Sequence, residues 1–176
     1  MDWSENAVDE MKTLRGGRFQ NSASYFDRGI SFSNTGIYSP TFRLEHGGVF
    51  DQKGSSIFCD VIEREVLLGI LSSKLLRYFA KSFINHGVDS QIEDLPLVMR
   101  GAQTVASIKK LVQVIVAGQQ RALSFDYRPV AGQIDDFVDG LYGLGKEERT
   151  EVRTWHQRHY LSCTDSRLFA DCRNSA

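Results

Sequence analysis

The longest amphipathic pattern in this chain runs from residue 60 to residue 87, a stretch that we call the spine segment. Asp60 and Glu63 stand at its start as in a capping box, and Gly87 suits a left-handed cap at its end. The pattern predicts one continuous helix that serves as the spine of the domain. The apolar residues that recur every three or four positions along it are Val61, Leu68, Leu71, Leu75, Leu76, Phe79 and Phe83.

Residues 25 to 58 have a different pattern, in which short apolar runs are separated by Gly, Ser, Asn and Thr. Residues 30 to 33, Ile-Ser-Phe-Ser, alternate with period two, as a half-buried strand does. Residues 37 to 44 can return as a second strand, and Pro40 favours a free sheet edge or a bulge there. A further run at residues 56 to 58 completes a predicted set of short antiparallel strands.

Three more helices are predicted after the spine segment, at about residues 103 to 123, 135 to 143 and 146 to 160, with a break around Pro129. Residues 92 to 98 are predicted to be extended, because a residue that precedes a proline is pushed out of the helical region. The predicted fold class is therefore α+β: a small, loop-rich antiparallel sheet followed by a long spine helix and a C-terminal helical bundle.

At 176 residues, of which 41% are hydrophobic, the chain is long enough for one domain with a buried core. We divide it into a lead-in at residues 1–24, an α+β core at residues 25–100, a helical part at residues 101–161 and a tail at residues 162–176.

Composition limits the classes of partner. The formal net charge is −1, so any charge that binds DNA must gather on one face. Cys59, Cys163 and Cys172 are odd in number and widely spaced, which argues against a disulfide scaffold and fits a reducing compartment. The N-terminus does not resemble a signal peptide, and no apolar run is long enough to span a membrane. We expect a cytoplasmic protein without a membrane partner.

Two short patterns could carry catalytic chemistry. His156 and His159 with Cys163 and Cys172 offer zinc ligands, although their spacing is not that of a standard zinc finger. The Glu-Met-Lys run at residues 10 to 12 has the ending seen in many magnesium nucleases, but no predicted strand carries it.

Gly143-Leu144-Gly145 lies between two predicted helices, which predicts a helix cap and linker rather than a dinucleotide loop, since such a loop follows a strand. No Ser or Cys stands in a nucleophile-elbow pattern. The sequence thus shows no self-contained active site. A metal enzyme that uses His156, His159 and Cys163 is the enzymatic alternative.

Polar and basic residues in the predicted sheet region fit contacts to nucleic acid. Arg28, Arg43 and Lys53 lie there among Ser, Thr, Asn and Gln residues. Ser and Thr can contact phosphates, and Arg, Asn and Gln can read base edges through paired hydrogen bonds. On the spine segment, Lys74 and Arg77 begin a basic stripe opposite the apolar face. An ordinary solvated surface would contain the same residue types.

The order of several short motifs carries a resemblance to a known family. The segment RGISFSNTGIYSPTFR is followed by GGVFDQKGSSIFC, then by LLGILSSKLLRYFAKSFIN and finally by QIEDLPLV. Together they resemble the target-recognition region of adenine-specific DNA methyltransferases of the fused, type IIG-like restriction–modification enzymes and of BREX-type phage defence. The positions that match the family's motifs are Phe32-Ser33, Arg43, Phe50-Asp51, Gly54-Ser55, Leu71-Ser72-Ser73-Lys74, Gln91 and Leu95-Pro96.

The resemblance extends to Ile134-Asp135-Asp136-Phe137-Val138 and Leu141-Tyr142-Gly143-Leu144, which are similar to a helical stretch near the family's C-terminus. The chain departs from the family at Asn85-His86-Gly87, where Asn-Pro-Thr is common, and at Ser72, where Asn is usual.

The resemblance implies a DNA target-recognition domain that selects a site on double-stranded DNA while a separate domain flips the adenine and methylates its N6. The family's catalytic domain needs S-adenosylmethionine and an Asn-Pro-Pro-aromatic loop, whereas the three prolines here include no Pro-Pro pair. We therefore expect no catalytic residue and no cofactor in this chain, and S-adenosylmethionine in a partner catalytic domain. The expected DNA contacts are Arg43 first, then Asn34, Ser33, Tyr38, Lys53 and Arg28, with Lys74 and Arg77 on phosphates.

A protein–protein interaction module without DNA readout is the alternative, because a domain that relies on phosphate contacts is usually more basic than this chain. The two hypotheses differ in whether the basic residues converge on one surface or scatter. These residues are Arg28, Arg43, Lys53, Lys74 and Arg77.

Overall fold

A computed structural model of the chain describes residues 4–14, 21–33, 39–45, 47–50, 54–83 and 92–160. It contains a three-stranded antiparallel sheet and helices, so the predicted α+β class is confirmed. The helices are α1 (Glu5–Thr13), α2 (Arg64–Ser72), α3 (Lys74–Phe83), α4 (Ala102–Arg121), α5 (Arg128–Leu141) and α6 (Lys146–Tyr160); the strands are β1 (Ile30–Ser33), β2 (Phe42–Leu44) and β3 (Gly54–Ile57).

The sheet has the order β2-β1-β3, with β1 in the centre. Ile30 pairs with Leu44 of β2 and with Ile57 of β3, which fixes the register on both sides. Strand β2 is shorter than the predicted run of residues 37 to 44, and it lies at a sheet edge, as Pro40 indicated. Strand β1 is therefore hydrogen-bonded along both of its edges, to one short strand on each side.

The prediction of one continuous spine helix is wrong, because Ser73 is extended (φ −63°, ψ 153°) and divides the spine segment into α2 and α3. The Ser73 hydroxyl donates to the Ile70 carbonyl at 2.7 Å and accepts from the Leu76 N–H at 3.3 Å. One serine thus closes α2 and caps α3, a role for which serine is well suited. The predicted capping box is wrong as well, because α2 begins at Arg64 with Glu63 as its cap residue and no side-chain cap bond. The predicted cap at Gly87 lies outside the described residues.

Helix α5 begins at Arg128, seven residues before the predicted start at residue 135, and Pro129 lies in its first turn. Proline is accepted there because the first N–H groups of a helix have no partner within the helix. The predicted cap between α5 and α6 is confirmed. Gly143 has φ +71°, and the Leu144 N–H donates to the Asp139 carbonyl at 2.9 Å.

The core joins the sheet to the helices. A single cluster of buried apolar side chains extends from Ile30 and Phe32 in β1 to Val138 in α5 and Val152 in α6. Helices α2 and α4 cross closely at Gly69, where an added Cβ would lie 2.6 Å from the Ile108 side chain. The core is therefore continuous across the boundary that was predicted near residue 100.

The segment between α3 and α4 is held by Tyr142 at the end of α5. The Tyr142 hydroxyl donates to the Pro96 carbonyl and accepts from the Val98 N–H. Among the helices that the structure describes, none combines the length and the apolar character that crossing a membrane requires.

Candidate functional site

Strand β1 places alternate side chains on opposite faces of the sheet. Ile30 and Phe32 lie in the core, so Ser31 and Ser33 point to the other face. Because directly paired residues share a face, Arg43 of β2 and Ser56 of β3 lie on that same side, both opposite Ser31. We call these four residues, Ser31, Ser33, Arg43 and Ser56, the polar face.

Two of the serines of the polar face are hydrogen-bonded to neighbouring residues. The Ser33 Oγ accepts from the Thr41 N–H at 3.2 Å and lies 3.3 Å from the Thr41 hydroxyl. The Ser56 hydroxyl donates to the Glu45 carboxylate, and the Glu45 N–H donates to the Gly29 carbonyl at 3.0 Å. The contacts of Thr41 with Ser33 and of Glu45 with Gly29 hold the two ends of β2 against β1, and the Ser56 contact joins β3 to the end of β2.

Arg43 and Ser31 differ from these serines. Arg43 is exposed, and its guanidinium makes no hydrogen bond or ion pair with any residue that the structure describes. Ser31 is 7% exposed, yet its hydroxyl has no partner among the same residues. An unpartnered buried hydroxyl costs about 1–3 kcal/mol, so most are satisfied in folded proteins. One row of the sheet thus contains an exposed guanidinium and a buried hydroxyl that have no partner among the described residues.

Arg28, two residues before β1, is also exposed and has no partner within the described part of the chain. It precedes Gly29, the residue that lies beside Glu45 at the end of the sheet. Of the predicted DNA contacts, Ser33 and Arg43 therefore share one face, and Arg28 lies at the entry to its central strand. Asn34, Tyr38 and Lys53 lie outside the described residues.

Arg77 of α3 lies near the connection between β1 and β2. Its Nε–H donates to the Ser39 hydroxyl at 3.2 Å, and Ser39 is almost fully buried. The contact joins α3 to the segment that leads into β2, so Arg77 supports the sheet without belonging to the polar face.

Lys74 lies in the helical layer rather than at the sheet. Its backbone N–H donates to the Asp135 carboxylate at 2.8 Å, and its ammonium forms an ion pair with the same carboxylate. Asp135 is buried in α5, so the lysine compensates a charge that would otherwise be isolated in the interior. The predicted basic stripe therefore begins with a lysine whose charge is already neutralised.

A second cluster of polar groups surrounds this ion pair. His156 of α6 is buried, and its Nε2–H donates to the Lys74 carbonyl at 2.8 Å. Burial lowers the pKa of His156 to about 4, and the cations of Arg77 and Lys74 act in the same direction. The side chain is neutral near pH 7 and holds α6 against the first turn of α3.

Asp139 of α5 belongs to the same helical layer. Burial raises the pKa of the Asp139 carboxyl, and Arg153 and Arg149, at 3.3 Å and 3.9 Å, oppose the shift. Each of these groups contacts another group of the helical layer, as expected of a cluster that stabilises helix packing.

The zinc alternative receives no geometric support from the described residues, which contain no group of three or more His, Cys, Asp or Glu side chains that could hold a metal ion. His159 stacks on the Trp155 ring with centroids 4.3 Å apart. Cys163 and Cys172 lie outside the described residues. The nuclease-like Glu-Met-Lys run at residues 10 to 12 lies in α1, not on a strand, and Lys12 pairs there with Asp9.

Sequence reasoning missed the central position of Ser31 and the part played by Ser56. Period-two alternation placed Ser31 and Ser33 on one face, but the pairing register depends on connections whose lengths the pattern does not fix. The comparisons with known proteins add no family and no relative: no family model, no curated protein and no solved structure matches the chain.

Proposed function

We propose that this chain is the target-recognition domain of a site-specific adenine-N6 DNA methyltransferase or restriction–modification enzyme, and that it binds double-stranded DNA through the polar face. The observation that carries the proposal is the exposed guanidinium of Arg43, in the same row of the sheet as the buried hydroxyl of Ser31, since neither group has a partner among the described residues. The motif order that resembles such enzymes supports the same function.

DNA offers partners to groups that have none in the described part of the chain. A guanidinium forms paired hydrogen bonds with a phosphate or with O6 and N7 of guanine, and a serine hydroxyl can donate to a phosphate or a base edge. Binding would therefore use the donors of Arg43, which is exposed.

The local charge of the site supports weak, salt-sensitive attraction rather than tight non-specific binding. Arg28 and Arg43 provide two cations that form no ion pair with the described residues, while Glu45, which accepts from Ser56, offsets part of their field. With a net charge of −1 for the whole chain, long-range steering is small. Discrimination between sites would come from base contacts.

Catalysis belongs, in this proposal, to a separate domain that binds S-adenosylmethionine, flips the target adenine and transfers the methyl group. Lys74 is not one of the proposed DNA contacts, because its ammonium pairs with buried Asp135. Arg77 supports the sheet through its hydrogen bond to the Ser39 hydroxyl.

We expect Arg43→Ala to weaken binding to the preferred site about tenfold or more and to relax the preference at one base position, because a lost bidentate contact costs about 1–3 kcal/mol. The measurement is selection of the full chain against a random duplex pool at two salt concentrations, followed by sequencing. Arg121→Ala is the matched control, since it removes one exposed positive charge near the end of α4.

An Arg43→Ala protein that selects the same sequences with the same affinity as the wild type, or that does no more than Arg121→Ala, would contradict the assignment of the polar face. Failure of the wild-type chain to retain any duplex, even at low salt, would contradict DNA recognition by this chain.

A protein–protein interaction module is the second candidate function. It is favoured by the separation of the basic residues: Lys74 lies in the helical layer on Asp135, apart from Arg43 on the sheet. The same selection experiment tests it, because a module of this kind would retain no duplex at either salt concentration.

A further inference from the structure

Strand β2 forms one edge of the sheet, so one side of its backbone has no neighbouring strand. On the inner side, the Ser33 N–H donates to the Thr41 carbonyl, and the backbone of Arg43 faces β1 in the same way two residues later. Because bonded pairs alternate in an antiparallel ladder, Phe42 and Leu44 point their N–H and C=O groups outward. Within the described part of the chain, no hydrogen bond reaches these outer groups. An edge of this kind is a template for a further strand.

The length of β2 limits what can pair with it. The strand has three residues, and Pro40 before it has no N–H, so the row of outer donors begins at Phe42. Proteins usually cover or interrupt long free edges, because such edges aggregate. The open edge of β2 therefore suits an extended segment of a few residues and not a long strand.

A cavity of about 180 Å³ adjoins this edge, between β2 and the helices α2 and α4. The residues that line it are Leu44, Glu65, Gln113, Val116, Ala117 and Gln120. Gln113, Ala117 and Gln120 are exposed residues of α4, so the cavity opens to solvent. Leu44 belongs both to the open edge and to the cavity wall. Because paired residues share a face of a sheet, a segment added to β2 would place the side chain opposite Leu44 at the cavity.

The lining of the cavity combines aliphatic surface with one ionisable group. Leu44, Val116 and Ala117 supply the aliphatic surface, and Glu65 is the one ionisable side chain among the described residues that line the cavity. The Glu65 carboxylate accepts no hydrogen bond from a described residue. An aliphatic stem that ends in a cationic donor, as in lysine and arginine, matches both features.

Two nearby cations leave the Glu65 carboxylate without a hydrogen-bond donor. The Arg64 guanidinium lies 3.9 Å from Glu65 Oε1, beyond hydrogen-bond distance, and reaches the Glu45 carbonyl at 3.5 Å. Lys109 forms its ion pair with Glu63. Arg64 thus offsets part of the charge of Glu65, while the acceptor capacity of the carboxylate stays open to a donor that enters the cavity.

We propose that the open edge of β2 binds an extended segment of a partner protein as an added strand, and that a lysine or arginine of this segment enters the cavity and donates to Glu65. In this mode of recognition, backbone hydrogen bonds supply affinity and a pocket for an alternate side chain supplies specificity. The surface is distinct from the polar face, because Leu44 and Arg43 are adjacent residues of one strand and point to opposite sides of the sheet. The inference therefore does not depend on DNA binding.

The probe is a displayed library of random heptapeptides, selected on the full chain. Selection should enrich peptides that have lysine or arginine at one position and β-branched or aromatic residues around it, since these residues favour an extended strand. No enrichment, or enrichment of peptides without a basic residue at a fixed position, would overturn the proposal.

Hydrogen exchange of single amides, followed by NMR, tests the added strand. The enriched peptide should slow exchange of the Phe42 and Leu44 amides by about tenfold or more, because their outward N–H groups gain acceptors. The Ser56 amide, which points outward at the other edge of the sheet, is the internal control and should not change. Binding without protection of Phe42 and Leu44 would overturn the proposal. Protection of both amides that appears without peptide as the protein concentration rises would assign the edge to a second copy of this chain, and would overturn it as well.

Ala117→Leu tests the cavity by filling it. The substitution should weaken binding of the enriched peptide about tenfold, because the added side chain occupies the place of the basic residue. Ala106→Leu is the matched control, since it adds the same side chain at an exposed position of α4 that does not line the cavity. Equal binding by the two variants would show that the cavity takes no part.

Glu65→Gln tests the ionic contact while it keeps the shape of the side chain. It should weaken binding of the basic peptide about threefold to fivefold, as expected for a partly exposed ion pair. It should leave unchanged the binding of the same peptide with norleucine in place of the basic residue. Glu147→Gln, which removes an exposed carboxylate from the first turn of α6, is the control. An equal effect of Glu65→Gln on the two peptides would overturn the contact between Glu65 and the basic residue.

Discussion

Two arginines, Arg28 and Arg43, have guanidinium groups without a partner among the described residues, whereas the ammonium of Lys74 pairs with Asp135. The sequence shows all three only as basic residues near polar ones. Their roles differ because Lys74 faces the carboxylate of Asp135, which is buried and needs a compensating cation. Neither arginine faces a buried carboxylate among the described residues. The basic residues that remain candidates for DNA contact therefore lie on the polar face or next to it.

His156 gives a pH-dependent prediction at the residue scale. Its pKa is about 4 in the fold, below the ordinary value of 6.5, so the folded protein binds fewer protons than the unfolded chain between these values. The contribution of neutral His156 to stability is therefore complete above about pH 6.5 and is lost as the pH falls towards 4. Between about pH 7 and about pH 5 we expect a loss of roughly 2 kcal/mol from this group, measured by urea unfolding.

His156→Gln is the control for this prediction, because an amide keeps a donor for the Lys74 carbonyl and does not titrate. Other groups also titrate as the pH falls, so the relevant quantity is the difference in pH dependence between the two proteins. Parallel curves for wild type and variant would show that protonation of His156 does not limit stability.

At the scale of elements, two local features set the path of the helices. Ser73 ends α2 and caps α3, and Gly69 allows α2 and α4 to cross closely. Both residues lie within the amphipathic run that predicted a single helix. The spacing of apolar residues reveals neither the break at Ser73 nor the close crossing at Gly69. The signal for the break was the pair Ser72-Ser73, since serine favours helix caps over helix interiors.

Gly69→Ala should destabilise the protein by about 1–2 kcal/mol, because its Cβ would lie 2.6 Å from Ile108 and 3.0 Å from Val112. This steric penalty opposes the gain in helix propensity, which is about 1 kcal/mol. Gly132→Ala is the matched control. It lies in α5 with no atom within 4 Å of the added Cβ, so we expect it to stabilise the protein by about 0.5–1 kcal/mol. Chemical denaturation measures both, and equal effects of the two substitutions would refute the close crossing.

At the scale of the molecule, the buried cluster runs from β1 to α6 without interruption at residue 100. Helix α4 covers α2 through Ile108 and Val112, so the sheet and its following helices share their core with the C-terminal helices. The expected division into residues 25–100 and 101–161 describes the order along the chain, while the packing joins the two parts.

We therefore expect the chain to unfold in one cooperative transition. Trp155 lies in α6, so in a variant whose other tryptophan, Trp3, is replaced by Phe the fluorescence reports on the C-terminal helices, whereas far-ultraviolet circular dichroism reports on all elements. The two probes should give the same midpoint in urea. A separate, earlier transition in Trp155 fluorescence would mean that residues 101–161 unfold on their own.

Much of the architecture could be predicted from the sequence because it depends on local patterns. Period-two alternation identified β1, and apolar periodicity identified α4 and α6 to within a residue or two. Gly143 was correctly predicted as the cap between α5 and α6. The error at α5 came from Pro129, which can either break a helix or begin one.

The sequence by itself determined the fold class, the kinds of element and the set of basic residues, since periodicity and residue type are properties of neighbouring positions. Only the tertiary structure decided which residues face each other. The pairing of Arg43 with Ser31, the ion pair of Lys74 with Asp135 and the place of Phe58 over Gly29 join residues between 12 and 61 positions apart. Such contacts follow from strand register and helix packing, which satisfy buried groups across the whole chain at once.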